Sequence, residues 1–151
     1  MKHNKDKNNE SDNEECEVLS SKTSIFDKNY KIIILGDSGV GKTRLILRAS
    51  TGEFNSQNEP VPNLYADFNN FCLKYKNNVL KLDIWDTVGQ EEYRSLIKSF
   101  FKYASLVVIV YAIDKTDTFK SIDEWIRQVK TECNPEIKIF LIGNKADLDD
   151  A

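Results

Sequence analysis

The chain has 151 residues, enough for one domain with a proper core, and a formal net charge of −3 that leaves no polybasic footprint for nucleic acid. Its single histidine, His3, sits among polar residues, so neither histidine-based catalysis nor a histidine metal site is on offer. Cys16, Cys72 and Cys133 are odd in number and lack metal-ligand or C-x-x-C spacing, which reads as reduced thiols of a cytoplasmic protein, with Cys72 in the core. No apolar run is long enough to span a bilayer, and the first residues hold no signal-peptide core. Met1-Lys2 excludes myristoylation and Asp149-Asp150-Ala151 offers no prenylatable cysteine, so no membrane anchor is expected in this chain.

Residues 1–28 are dominated by Asn, Lys, Asp, Glu and Ser, with almost no apolar residue before Val18-Leu19. Such a composition cannot offset the entropy of ordering, so the stretch reads as a disordered polar tail and 29–151 as the folded domain. Residues 30–35 form a near-continuous, isoleucine-rich apolar run, as expected of a central strand buried on both faces. Gly36-Asp37-Ser38-Gly39-Val40-Gly41-Lys42-Thr43 follows directly and leads into a good helix former that Gly52 can close near 49–52. Residues 53–63 are polar, contain Pro60 and Pro62, and read as a surface loop.

Two strand-like runs, 66–75 and 79–85, are joined by Lys76-Asn77-Asn78, a hairpin signal because Asn tolerates positive φ. In the second run Leu80, Leu82 and Ile84 alternate with Lys81, Asp83 and Trp85, so one face is expected to be buried. Residues 91–103 read as helical. Residues 106–112 are β-branched and strand-like, and 118–130 carry Phe119, Ile122, Ile126 and Val129 at helical spacing. Residues 138–142 read as a last buried strand before Gly143-Asn144-Lys145-Ala146-Asp147. Alternating strands and helices predict an open, mostly parallel sheet covered on both faces, with the hairpin adding one antiparallel edge strand. The segments at Gly36, Asp86 and Asn144 each follow a different strand and should converge on one rim, where such sheets bind ligands.

The first of these segments fits G-x-x-x-x-G-K-[ST] between a strand and a helix, the context in which that pattern cradles phosphate. Glycines let backbone N–H groups wrap an anion, and the helix N-terminus adds partial positive charge. Lys42 would reach the β- and γ-phosphates, and the Thr43 hydroxyl would ligate Mg²⁺.

Taken together, the three segments resemble the Ras superfamily of small GTPases, and in detail its Rab branch. Gly36 to Thr43 matches that family's phosphate loop. Trp85-Asp86-Thr87-Val88-Gly89-Gln90-Glu91 is similar to W-D-T-A-G-Q-E, with Val88 in place of alanine, and Gly143-Asn144-Lys145-Ala146-Asp147-Leu148 is similar to G-N-K-x-D-L. Tyr93-Arg94-Ser95-Leu96 and Phe100-Phe101 also stand where Rab proteins carry similar residues. The resemblance implies a three-layer α/β P-loop NTPase domain that binds GTP and GDP with Mg²⁺ and hydrolyses GTP slowly. It also implies effectors, exchange factors and GTPase-activating proteins as partners, and a role as a switch in vesicle traffic.

Each segment also has a chemical reading. Asp86 at a strand end suits a water-mediated hold on Mg²⁺, and the Gly89 N–H can meet a γ-phosphate that approaches the backbone closely. The family's glutamine at the Gln90 position orients the attacking water. Asp147 can accept two parallel bonds from guanine N1–H and its amino group, which adenine does not offer. A site built on such bonds rejects the wrong partner by about 10⁴-fold. Asn144 and Lys145 match the residues that brace the loops and cover the base. Phe68, Trp85 and Phe100 match an effector-facing aromatic surface of Rab proteins, with ordinary packing as the competing reading.

The chain departs from the family pattern in three ways. Asn63 stands at the switch threonine's position, Tyr65 where glycine is usual, and the loop is longer. An Asn oxygen can still ligate Mg²⁺, but nucleotide-dependent ordering of the loop is put in question. Ala49 replaces an aromatic that packs on guanine, so nucleotide should be held less firmly. The chain also stops before the family's last strand, guanine loop and C-terminal helix. An open edge at 138–142 and an uncovered sheet face are therefore expected, with membrane association only through partners or a missing C-terminal segment. Two functions remain: a Rab-like GTPase switch, and a truncated GTPase-like module that binds partners without switching. An adenine-nucleotide enzyme is a distant third because it leaves Asp147 without a purpose.

Overall fold

The computed structural model describes residues 16–19, 23–52, 54, 67–87 and 100–148. In chain order these form β1 (Cys16–Leu19), β2 (Lys28–Leu35), α1 (Lys42–Thr51), β3 (Asp67–Tyr75), β4 (Asn78–Asp86), β5 (Leu106–Ala112), α2 (Thr116–Lys120), α3 (Ile122–Glu132) and β6 (Lys138–Asn144). A single turn of 3₁₀ helix, Ala146–Leu148, follows β6.

The described strands make one six-stranded sheet in the order β1-β3-β4-β2-β5-β6. Pairings of β4 with β2, β2 with β5 and β5 with β6 are parallel, whereas β3 runs antiparallel to β4. Side chains of a strand alternate between faces, so the isoleucine run of β2 feeds two cores at once. Ile33 and Leu35 join Phe101, Val107, Ile109, Ile122, Trp125 and Val129 on the α3 side. Ile34 joins Val40, Ile46, Phe71, Ile84, Val110 and Ala112 on the α1 side. Two apolar layers around a β-branched central sheet explain why β2 and β5 read as continuous apolar runs rather than alternating ones.

Several sequence-based expectations need correction. Cys16–Leu19, inside the stretch read as a disordered tail, is a strand that pairs antiparallel with β3, Val18 opposite Leu73. The edge at that end is therefore β1, not the hairpin strand β3. Val18-Leu19 was the first apolar pair of the chain, and backbone pairing to an unfilled edge lets so short a segment adopt strand form. Residues 1–15 lie outside the described residues.

The hairpin turn is Lys76-Asn77, with Asn78 already in β4 opposite Tyr75. Its left-handed residue is Lys76, at φ 54°, rather than an asparagine. The ammonium of Lys76 sits 5.1 Å from the centroid of the Tyr75 ring.

The amphipathic stretch 118–130 divides at Ser121 into α2 and α3, although Ser121 keeps helical angles and its N–H still donates to the carbonyl of Asp117 (3.1 Å). Phe119 lies exposed, and the buried aromatic of this region is Trp125.

The strand over 138–142, read as buried, pairs on one side only among the described strands. Phe140, Leu141 and Ile142 are exposed on it. Gly52 closes α1 as anticipated, at φ 73°, its N–H donating to the carbonyl of Arg48 (3.0 Å). The three cysteines of the chain are free thiols, and Cys72 is buried.

Ile109 is 1 % exposed at the centre of the α3-side core. Ile109→Ala is expected to cost about 2–5 kcal/mol of unfolding free energy, read from the midpoint shift in a urea titration.

Candidate functional site

The register of the parallel strands sets where the site lies. Ile34 of β2 pairs with Asp86 at the end of β4, Leu35 pairs with Ile109, and Ala112 of β5 pairs with Asn144 at the end of β6. The three segments that leave β2, β4 and β6 therefore emerge at one rim, and side-chain contacts tie them together.

Two glycines let the loop after β2 curve back on itself. Gly36 sits at φ +139°, where an added Cβ would lie 2.1 Å from the carbonyl oxygen of Val110. Gly41 sits at φ +97°, where a Cβ would come within 2.3 Å of Nδ2 of Asn144. Both positions combine a left-handed backbone with close approach, so a side chain is excluded twice over. Val40 is fully buried beneath the loop, whereas Ser38 and Gly39 are exposed at the rim.

Lys42, the first residue of α1, is only 7 % exposed. Its ammonium donates to the carbonyls of Gly36 (2.8 Å) and Asp37 (2.9 Å). Burial lowers its pKa to about 8, while the carboxylates of Asp86 and Asp37 oppose that fall. The ammonium form still predominates at neutral pH. Among the described residues no side chain caps the N-terminus of α1, and its first turn holds no acidic residue. A free helix N-terminus beside a buried cation is a ready-made anion site.

Thr43 donates its hydroxyl to Oδ2 of Asp86 at 2.5 Å, and Asp86 is 2 % exposed. Thr87, also buried, donates to the carbonyl of Ile34 at 2.6 Å and so pins the start of its segment to β2. From the third segment, Asn144 donates through Nδ2 to the carbonyl of Val40 (2.8 Å) and accepts through its own carbonyl from the N–H of Ile113 (2.8 Å). Lys145 adopts the left-handed conformation at φ 63°, and the carboxylate-bearing Asp147 follows in the exposed 3₁₀ turn. The structure thus brings together Gly36, Asp37, Val40, Gly41, Lys42, Thr43, Asp86 and Asn144. Asn63, Gly89 and Gln90 lie outside the described residues.

Sequence reading missed one contact at this rim. The indole N–H of Trp125 donates to Oδ1 of Asp37 at 2.9 Å across 88 residues of chain. The available signal was the tryptophan itself, since a buried indole N–H normally finds an acceptor.

A family model described as Ras family matches residues 31–151. The chain belongs to the Ras family. It is 36% identical over 123 residues to the Ras-related protein RABA1b of Arabidopsis thaliana, covering 82% of this chain and 56% of that one. Over the same span and shares it is 34% identical to the Ras-related protein YPT3 of Nicotiana plumbaginifolia. It is also 36% identical over 127 residues to the Ras-related protein Rab-11B of Dictyostelium discoideum, covering 84% of this chain and 57% of that one. The chain spans a little over half the length of these relatives.

In this Ras-family chain the three aromatics singled out in the sequence do meet. Phe68 and Trp85 lie 5.2 Å apart between ring centroids, and Trp85 and Phe100 lie 5.1 Å apart. Phe68 is 44 % exposed, so the cluster packs internally and still presents a ring to solvent. Lys31 places its ammonium 5.1 Å from the Trp85 ring centroid and donates to the carbonyl of Lys102 (2.9 Å). Ala49 lies on an exposed part of α1, and Phe54 is exposed.

Asn144→Ala removes the bond to the Val40 carbonyl and is expected to cost about 1–2 kcal/mol. Amide hydrogen exchange should quicken across residues 39–43 while β5 stays protected.

Proposed function

We propose that this chain is a Rab-like GTP-binding protein that hydrolyses GTP slowly to GDP and phosphate, and that acts as a molecular switch in vesicle traffic. The observation that carries the reading is the pair of contacts Thr43–Asp86 and Asn144–Val40, which assemble three separate motif segments around a buried lysine. Membership of the Ras family and the Ras-related relatives support the same reading.

In this proposal the backbone of Gly36, Asp37, Ser38, Gly39, Val40, Gly41, Lys42 and Thr43 wraps the nucleotide phosphates. Lys42 exchanges its two carbonyl partners for phosphate oxygens, an exchange of neutral acceptors for charged ones. The N–H of Gly89 meets the γ-phosphate, and Gln90 orients the attacking water. Asp147 accepts from the guanine edge, Lys145 covers the base, and Asn144 braces the phosphate loop from behind.

The donors present suit Mg²⁺. The Thr43 hydroxyl and the Asp86 carboxylate are hard oxygen donors already converging at 2.5 Å, and among the described residues no cluster of three His, Cys, Asp or Glu competes for another metal. Few protein oxygens plus phosphate and water is the usual arrangement for this ion. Thr43 would ligate it directly, Asp86 through water, and Asn63 as a further oxygen donor. When bound it supplies neutralisation of phosphate charge.

Effectors, exchange factors and GTPase-activating proteins are the proposed partners, with Phe68 offering an exposed aromatic to an effector. Among the described residues no helix is long and apolar enough to cross a membrane. The non-switching alternative is not favoured, because the matching family and the Ras-related relatives support the Rab-like reading.

Fluorescent GDP or GTP should bind in a Mg²⁺-dependent manner and be displaced by unlabelled guanine but not adenine nucleotides. Asp147→Ala should weaken guanine-nucleotide binding about 10²-fold and leave adenine-nucleotide binding unchanged, since two bonds to a charged acceptor are lost. Well-folded protein that binds neither labelled nucleotide would contradict the reading.

A further inference from the structure

Asp37 is held from both faces of the sheet. From the α1 side, the Lys42 ammonium takes its carbonyl at 2.9 Å. From the α3 side, the Trp125 indole takes its side-chain Oδ1, also at 2.9 Å. Trp125 is 3 % exposed and packed with Ile33, Leu35, Ile122 and Val129, so the donor is itself immobilised by the core.

A carboxylate in an anion-binding loop poses an electrostatic problem, because it repels the phosphate that the loop must hold. Engaging Oδ1 with a buried N–H draws that charge toward α3 and fixes the backbone at the first turn of the loop. A charge-assisted bond between rigid partners is well suited to both tasks.

We infer that Trp125 is a positioning residue for the phosphate loop, acting through Asp37 to hold the loop open to an anionic ligand and to slow nucleotide release. The inference rests on the guanine-nucleotide reading and adds to it a dependence of nucleotide retention on α3. Packing of α3, far along the chain from every phosphate-loop residue, thereby sets how long the nucleotide stays.

The test uses the full chain loaded with fluorescent GDP and Mg²⁺. Trp125→Phe keeps an aromatic ring in the core and removes the N–H; Asp37→Ala removes the acceptor without touching the core. Trp125→Phe, which keeps the carboxylate and loses its partner, should speed GDP release about tenfold; Asp37→Ala, which loses the bond and the repulsion together, should speed it less. The double variant should be no faster than the more affected single variant, because both delete one bond. Asp37→Asn, which retains an acceptor oxygen, should recover part of the retention lost in Asp37→Ala.

A merely structural Trp125 would lower the thermal midpoint without this pattern of release rates. A Trp125→Phe variant that releases GDP at the wild-type rate, or effects that multiply in the double variant, overturn the inference while leaving the nucleotide reading intact. If Trp125→Phe does not fold, the Asp37 variants decide through the Trp125 indole N–H signal in ¹H–¹⁵N spectra. That signal should move in Asp37→Ala, and a signal that stays in place overturns the inference. A wild-type chain that holds no guanine nucleotide overturns the functional reading and this inference with it.

Discussion

A buried ammonium governs the rest of the structure. Lys42 sits almost fully out of water at the start of α1, and a cation there is costly unless acceptors surround it. The carbonyls of Gly36 and Asp37 supply them, and carboxylates at Asp37 and Asp86 favour the charged form. To point those carbonyls inward, the chain must fold back within a few residues of leaving β2. That curvature demands the left-handed glycines and brings Gly41 so near Asn144 that any side chain would collide. The lysine, the glycines and the asparagine from a distant strand are therefore consequences of one electrostatic requirement.

The sheet converts this local requirement into a site. Parallel pairing of β4, β2, β5 and β6 aligns their C-terminal ends, so Asp86 and Asn144 arrive beside the loop without long excursions of chain. The two cores hold the alignment from opposite faces, and each contributes a residue to the rim. Val40, from the α1-side core, offers its carbonyl to Asn144, and Trp125, from the α3-side core, offers its N–H to Asp37. Loop conformation is thus set by packing on both sides as well as by its own glycines.

Much of this was legible in the sequence because the signals were local. The isoleucine run of β2, the β-branched run of β5 and the glycine-lysine-threonine spacing each occupy under a dozen residues, and each turned out where expected. The convergence of the three segments followed from strand order alone. Features that depend on partners remote in sequence were not legible. Cys16–Leu19 is too short and too polar to announce a strand, and only an open edge on β3 makes it one. The left-handed turn residue fell on Lys76 although an asparagine stood beside it. The bond from Trp125 to Asp37 joins groups 88 positions apart and needed coordinates to be seen.

The central claim is that the loop from Gly36 to Thr43, preset by its neighbours, holds the phosphates of a guanine nucleotide. Backbone ¹H–¹⁵N spectra recorded during titration with GDP and Mg²⁺ address it most directly. The account predicts large downfield amide shifts confined to the loop, strongest around Gly41 and Lys42, with smaller changes from Asn144 to Asp147 and none at the hairpin turn. Loop amides that stay in place while GDP and Mg²⁺ saturate the sample would contradict it.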